Sequence, residues 1–433
     1  MNLTKTQEIL QALGLFEKYL SQLKEQFENM KQNIIKGIVE LINFVDKQKN
    51  TINNEKIKHE KSYNNKQYNR VSYNFNQFHE KLQKQLQAIS NQIQEQIQSI
   101  QASNQYVELG QQCLEEPMIG SLVLKDDQIS QEDYCLAIAF NQSGTIMASG
   151  CGNIIKVWDY NNGKIEVITT LDPDQMQILS LIFSKNSNNF ISGSINSINM
   201  WCTKNDKNWQ NINQICNASY CMILNYDETK LYTGENDSIS VLDVDFQNQK
   251  LDFNQSLPAK KIYSISLNEE ETFLATCCVD KSIHLWEIKC KTIELYQIIK
   301  THQLGYNLCF IKHTQFIWLP AEQHKINCIY VYDLQNGEFQ LQEDKIIHLL
   351  QDDTCFDSFL FPIVINKERN IIAVRHKVTV YLIQVFQNGK YKIITHKNLK
   401  TDEIYGTMTN NGTALILWDN LSRKYQIFDI EIQ

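Results

Sequence analysis

The feature that most constrains this chain is a unit that recurs seven times after residue 117. Each unit has an apolar strand, a polar turn, a second strand, a short turn, and a third strand that ends on a bulky side chain. Those ends fall at Trp158, Trp201, Leu242, Trp286, Tyr332, Tyr381 and Phe428, at intervals of 43, 41, 44, 46, 49 and 47 residues. An acidic residue follows in five of them: Asp159, Asp243, Glu287, Asp333 and Asp429. A unit of this size cannot bury a core by itself, so its apolar strands need identical neighbours stacked against them.

The first unit shows the pattern most plainly. Leu136–Phe140 is followed by the turn Asn141–Gly144, then Ile146–Gly150, Ile154–Asp159 and a fourth strand, Lys164–Leu171. Four short strands with this spacing are the sign of a propeller blade. The last unit stops at Phe428–Gln433 with no fourth strand, while Ile119–Leu124 is a spare strand ahead of unit one. Pairing the two closes the ring and leaves no open edge. The expected fold is an all-β, seven-bladed β-propeller over residues 117–433, closed by strand 119–124, behind an α-helical coiled-coil segment.

These repeats resemble the WD40 family, and the resemblance runs over the whole propeller region. The family often has a Gly-His pair ahead of the first strand and an Asp six residues before the Trp. No unit here has the Gly-His pair, and the Asp is clear only as Asp280 before Trp286, with Gly152 at the matching place in unit one. The resemblance therefore implies a protein-binding propeller with more weight on apolar packing between blades.

Residues 1–116 follow a different period. Ile9, Phe16, Leu23, Met30 and Phe44 share one heptad position and Leu13, Leu20, Phe27, Ile34 and Leu41 share another, with Gly37 interrupting the first series. This predicts a coiled-coil helix in 1–46, roughly 55 Å long over its apolar stretch at 1.5 Å per residue. Residues 47–70 are Lys- and Asn-rich and read as a polar linker. A second long helix is expected in 71–116, where Phe75, Phe78, Leu82, Leu86, Ile89, Ile93, Ile97 and Ile100 follow an 11-residue repeat. The two stripes fit either an antiparallel hairpin or a homo-oligomeric coil.

Charge narrows the partner class. Residues 1–116 are nearly neutral, and the rest of the chain carries the acidic excess that makes the whole −8. An acidic propeller repels phosphate backbones, so no nucleic-acid partner is expected. No apolar run is long enough to span a membrane. The first residues, Met1-Asn-Leu-Thr-Lys5, show no apolar signal region, which points to a cytoplasmic protein with reduced thiols. None of the twelve cysteines forms a C-x-x-C pair.

No chemistry-bearing motif stands out. There is no phosphate-binding loop, nucleophile elbow or H-E-x-x-H, and Gly150-Cys-Gly152 lies between strands instead of ahead of a helix. Cys277-Cys278 reads as a pair of packed thiols, and the acids Asp172, Asp174, Asp352 and Asp353 as solvated connections. The expected protein is not an enzyme and has no cofactor or metal. It is expected to be a scaffold or adaptor for a protein partner, with the helices as an oligomerisation or docking element. Its layout also suits a substrate receptor of a ubiquitin ligase or an adaptor in cytosolic iron–sulfur targeting.

The candidate partner-binding residues lie where second strands meet third strands. Trp418 stands where unit one has Gly150, expected just beyond the strand end, with Asp419 and Arg423 in the same turn. Tryptophan and arginine dominate interface hot spots. Arg375, His376 and Lys377 in unit six, and His324 and Lys325 in unit five, are expected to share that rim.

Overall fold

The computed structural model describes residues 119–432, except 174–175, 290–291, 322–325, 353–354, 356 and 358. All of them belong to one compact unit, residues 106–433. The expected helices in 1–46 and 71–116, and the linker 47–70, lie outside the described residues.

The described chain forms seven antiparallel sheets, six of four strands and one of five, in a seven-bladed β-propeller. Blade one comprises Ile138–Phe140, Ile146–Cys151, Ile154–Asn161 and Lys164–Leu171. Blade seven comprises Ile404–Met408, Ala414–Asp419 and Lys424–Ile432, with Gly120–Asp126 as its outer strand. In that outer pair Leu122 faces Ile430 and Leu124 faces Phe428, and Lys125 bridges Asp429 at 2.9 Å.

Side chains alternate between the two gaps that flank each blade. In blade one, Ile146 and Ala148 pack toward blade two, whereas Met147 packs toward blade seven. Seven apolar clusters result among the described residues, one in each gap between neighbouring blades. Because both faces are covered, whole strands are buried, such as Ile371–His376 and Thr379–Val385 in blade six.

The third strand bulges against the fourth at its bulky residue: at Trp158, Trp201, Leu242 and Trp286 in blades one to four. In blade six the bulge falls at Ile383, which faces Ile372 as Trp158 faces Met147. Tyr381, expected at that position from the sequence, lies two residues earlier. Both point to the same face of the strand, which is why the aromatic ring attracted the alignment.

The indoles are not held by apolar packing alone. Trp158 Nε1 donates to Ser149 Oγ at 2.8 Å and Trp201 Nε1 to Ser192 Oγ at 2.9 Å. Trp286 Nε1 lies 3.4 Å from Thr276 Oγ1. Blade three keeps the hydroxyl as Thr233 but has Leu242 in place of the tryptophan, and Thr233 Oγ1 is buried with no hydrogen-bond partner.

Blade five departs from its neighbours in its outer strand. After Glu338–Leu341 the chain turns through a short 3-10 segment, Glu343–Lys345, and pairs again as Ile347–His348 against Cys328 and Ile329. The connection then continues to Val364, where blade six begins. The meander places every second-to-third-strand turn on the same end of the propeller as the connections between blades. We call this end the connecting-loop face.

Candidate partner-binding face

Trp418 is fully buried and lies inside its strand, Ala414–Asp419, not beyond its end. Its ring fills the gap between blades seven and one. Its Nε1 donates to the backbone oxygen of Gln131 at 3.1 Å, in the connection entering blade one. The surface anchor expected from the sequence is therefore a core residue: at this register position the side chain points between sheets, and the connection closes over it. Tyr425 completes this network, with its hydroxyl 2.7 Å from Gln131 Oε1 and 2.8 Å from Ser149 Oγ. Burial pushes that hydroxyl well above its ordinary pKa, so it remains a donor.

Asp419 is also buried and caps its own turn. Its carboxylate accepts from the Ser422 backbone NH at 2.8 Å, from Ser422 Oγ at 2.6 Å and from Gln426 Nε2 at 2.8 Å. Arg423 stands at the surface, 3.2 Å from Glu132 in an exposed ion pair. Beside it Leu421 is 68% exposed, and Tyr134 covers Trp418 at a ring separation of 6.0 Å.

Arg375, His376 and Lys377 were expected on a solvated rim, and the structure corrects that: all three are buried. Their common partner is Asp357, 18 to 20 residues earlier in the blade five-to-six connection. Its carboxylate lies 3.1 Å from Arg375 Nη1 and 2.7 Å from His376 Nδ1, and accepts from the Lys377 backbone NH at 3.2 Å. Arg375 also donates to the Asp402 carbonyl at 2.9 Å, and Lys377 Nζ donates to Asn327 Oδ1 at 2.9 Å and to the Asp352 carbonyl. Buried charges persist when paired and hydrogen-bonded, and this set pins the long connection to blade six. His324 and Lys325 lie outside the described residues.

The pinned connection carries Phe359 onto two tyrosines. Tyr263 and Tyr306, at the starts of the first strands of blades four and five, lie 4.8 Å apart between ring centroids. Phe359 lies 5.8 Å from the first and 5.9 Å from the second. Lys261 Nζ sits 4.4 Å above Tyr220 and 5.5 Å from Tyr263, within cation–π range. All five side chains are half-buried. Sequence reasoning missed this group, although Tyr220, Tyr263 and Tyr306 recur at 43-residue steps, the period of the blades.

Elsewhere the chemistry is quiet. The ten described cysteines are free thiols, nine of them buried or half-buried. Burial pushes the Cys135 thiol up to about 12, which keeps it protonated and unreactive. Among the described residues no helix is long and apolar enough to cross a membrane.

The WD domain, G-beta repeat family (WD40) matches residues 128–159 and 252–287. The first match ends in the third strand of blade one and the second in that of blade four, at Trp158-Asp159 and Trp286-Glu287. No curated protein matches the chain. Seven antiparallel blades, with family repeats in blades one and four, make this chain a seven-bladed β-propeller similar to the WD domain, G-beta repeat family.

Proposed function

We propose that this protein is a non-enzymatic interaction scaffold that holds a protein partner on the connecting-loop face, with the segment before the propeller serving oligomerisation or docking. The observation that carries this reading is the group Tyr220, Tyr263, Tyr306 and Phe359 with Lys261. Four rings and one cation meet on one face, half-buried and positioned by strand starts and a pinned connection. Rigid aromatic side chains with a polar rim are the usual anchors of protein interfaces. Arg423, Leu421 and Tyr134 extend the same face on blade seven. The acidic excess of the propeller region favours a basic protein surface as partner. The heptad positions of residues 9–44 support the oligomerisation role.

The test is affinity capture followed by mass spectrometry, using the full chain and two sets of variants. Tyr263→Ala with Tyr306→Ala should lower partner recovery about tenfold or more, the effect of a hot spot. Tyr226→Ala removes a ring that is 74% exposed in the first turn of blade three, on the opposite face, and should leave recovery unchanged. The reverse pattern would move the binding face to the other end of the propeller. Sedimentation of the full chain against residues 117–433 tests the segment before the propeller, since equal association states would remove its oligomerisation role.

A further inference from the structure

Blade four ends its second strand in a small cluster of unlike donors. Cys278 closes the strand Phe273–Cys278, Asp280 lies in the turn, and His284 is on the third strand, Ser282–Ile288. The Cys278 Sγ, an Asp280 carboxylate oxygen and a ring nitrogen of His284 all lie within 4.8 Å of one another. Among the described residues no other three His, Cys, Asp or Glu donors come this close.

The hydrogen bonding around the cluster is incomplete in a telling way. Ser282 Oγ donates to Asp280 Oδ1 and fixes the carboxylate. Asp280 Oδ2 stops 3.9 Å from His284 Nε2, too far for a hydrogen bond. His284 Nδ1 is buried and has no hydrogen-bond partner. An imidazole that is 91% buried, as its 9% side-chain exposure gives, thus has neither nitrogen satisfied within the described protein. Nε2, 3.9 Å from Asp280 Oδ2, makes no hydrogen bond among the described residues and is open to an ion, while the buried Nδ1 stays without a partner whether or not Nε2 ligates. Cys278 Sγ lies 3.8 Å from Thr276 Oγ1 and also meets the Lys260 backbone.

We propose that Cys278, Asp280 and His284 form a site for a divalent transition metal of the zinc type, with three protein ligands and a fourth position for water or a donor from a partner. Sulfur, nitrogen and oxygen together suit zinc in tetrahedral geometry. Metal–ligand bonds of about 2.0–2.3 Å let one ion reach both Asp280 Oδ2 and His284 Nε2 across their gap. The Cys278 side chain is a free thiol. Binding breaks the S–H bond, forms the S–metal bond and releases one proton to solvent, with no change in oxidation state. The turn lies on the connecting-loop face, so the open position is available to a docked partner.

Cobalt(II) titration of the metal-stripped, reduced full chain tests this. One equivalent should produce a thiolate-to-cobalt charge-transfer band. Cys278→Ser should abolish that band, and Cys277→Ser, on the other face of the strand, should keep it. Asp280→Asn and His284→Gln should each weaken cobalt binding about tenfold or more, at least the loss that outer-shell changes cause. Far-UV spectra without metal establish that each variant is folded. The proposal is overturned if the wild type gives no band or if Cys278→Ser keeps it. Should Cys278→Ser fail to fold, unchanged affinity in both other variants overturns it equally.

Discussion

Three residues beyond the position that faces the third-strand bulge, blades one, two and three carry Gly150, Gly193 and Gly234, whereas blades six and seven carry Arg375 and Trp418. In the glycine blades the connection to the next blade lies directly on the strand. A Cβ at Gly150 would come within 3.0 Å of Ile178, at Gly193 within 2.6 Å of Ser219, and at Gly234 within 2.8 Å of Ile262. In the other two, the large side chain holds the connection off and takes a carbonyl from it as a hydrogen-bond acceptor: Asp402 for Arg375 and Gln131 for Trp418. One register position therefore sets how high the loop face stands above each sheet. Where it stands high, the space beneath is filled by an indole or by paired charge.

The largest effect that can break this comparison is expected from Trp418→Ala. It empties a fully buried site and removes the indole donor, and should cost roughly 3–5 kcal/mol in urea denaturation. A loss below about 1 kcal/mol would show that the connection collapses to a glycine-like arrangement at no cost. Asp357→Ala comes next. It leaves Arg375 and His376 without their shared carboxylate, and about 3 kcal/mol is expected, the low end for breaking a buried pair, because Arg375 keeps the Asp402 carbonyl. Partner recovery should fall with it, since Phe359 rides on the same connection. Gly193→Ala tests the opposite class. Its Cβ would meet Ser180 Oγ at 2.5 Å, and overpacking of this kind costs about 1–3 kcal/mol. The smallest effect is expected from Arg423→Ala. Its ion pair with Glu132 is exposed, so stability should change by less than about 1 kcal/mol. A larger loss would mean that the turn above Trp418 supports the blade as well as presenting its surface.

The period was readable because most blades set a bulky third-strand residue against a bulge in the outer pair. It slipped only in blade six, where Tyr381 and Ile383 share a face and the larger ring is not the one at the bulge. The place of Trp418 opposite Gly150 was readable too, but its burial was not. Whether that position is covered depends on the connection from the neighbouring blade, which no local pattern describes. Arg375-His376-Lys377 misled for the same reason. Three adjacent basic residues read as a solvated turn until Asp357 arrives from a separate connection. The tyrosines at 43-residue steps were visible in principle, yet their meaning lies in rings brought together from different blades.

The closing strand has a consequence for how the protein is made. Ser121 and Glu431 face each other across the outer pair of blade seven, 310 residues apart in the chain. At a synthesis rate of about 5–20 residues per second, the early strand waits roughly 15–60 s for its partner. During that interval six blades can stack in order while the apolar sheet faces at both ends of the growing arc stay uncovered. The ring closes only once Lys424–Ile432 has been made, and a chaperone that covers apolar sheet faces would act in that window.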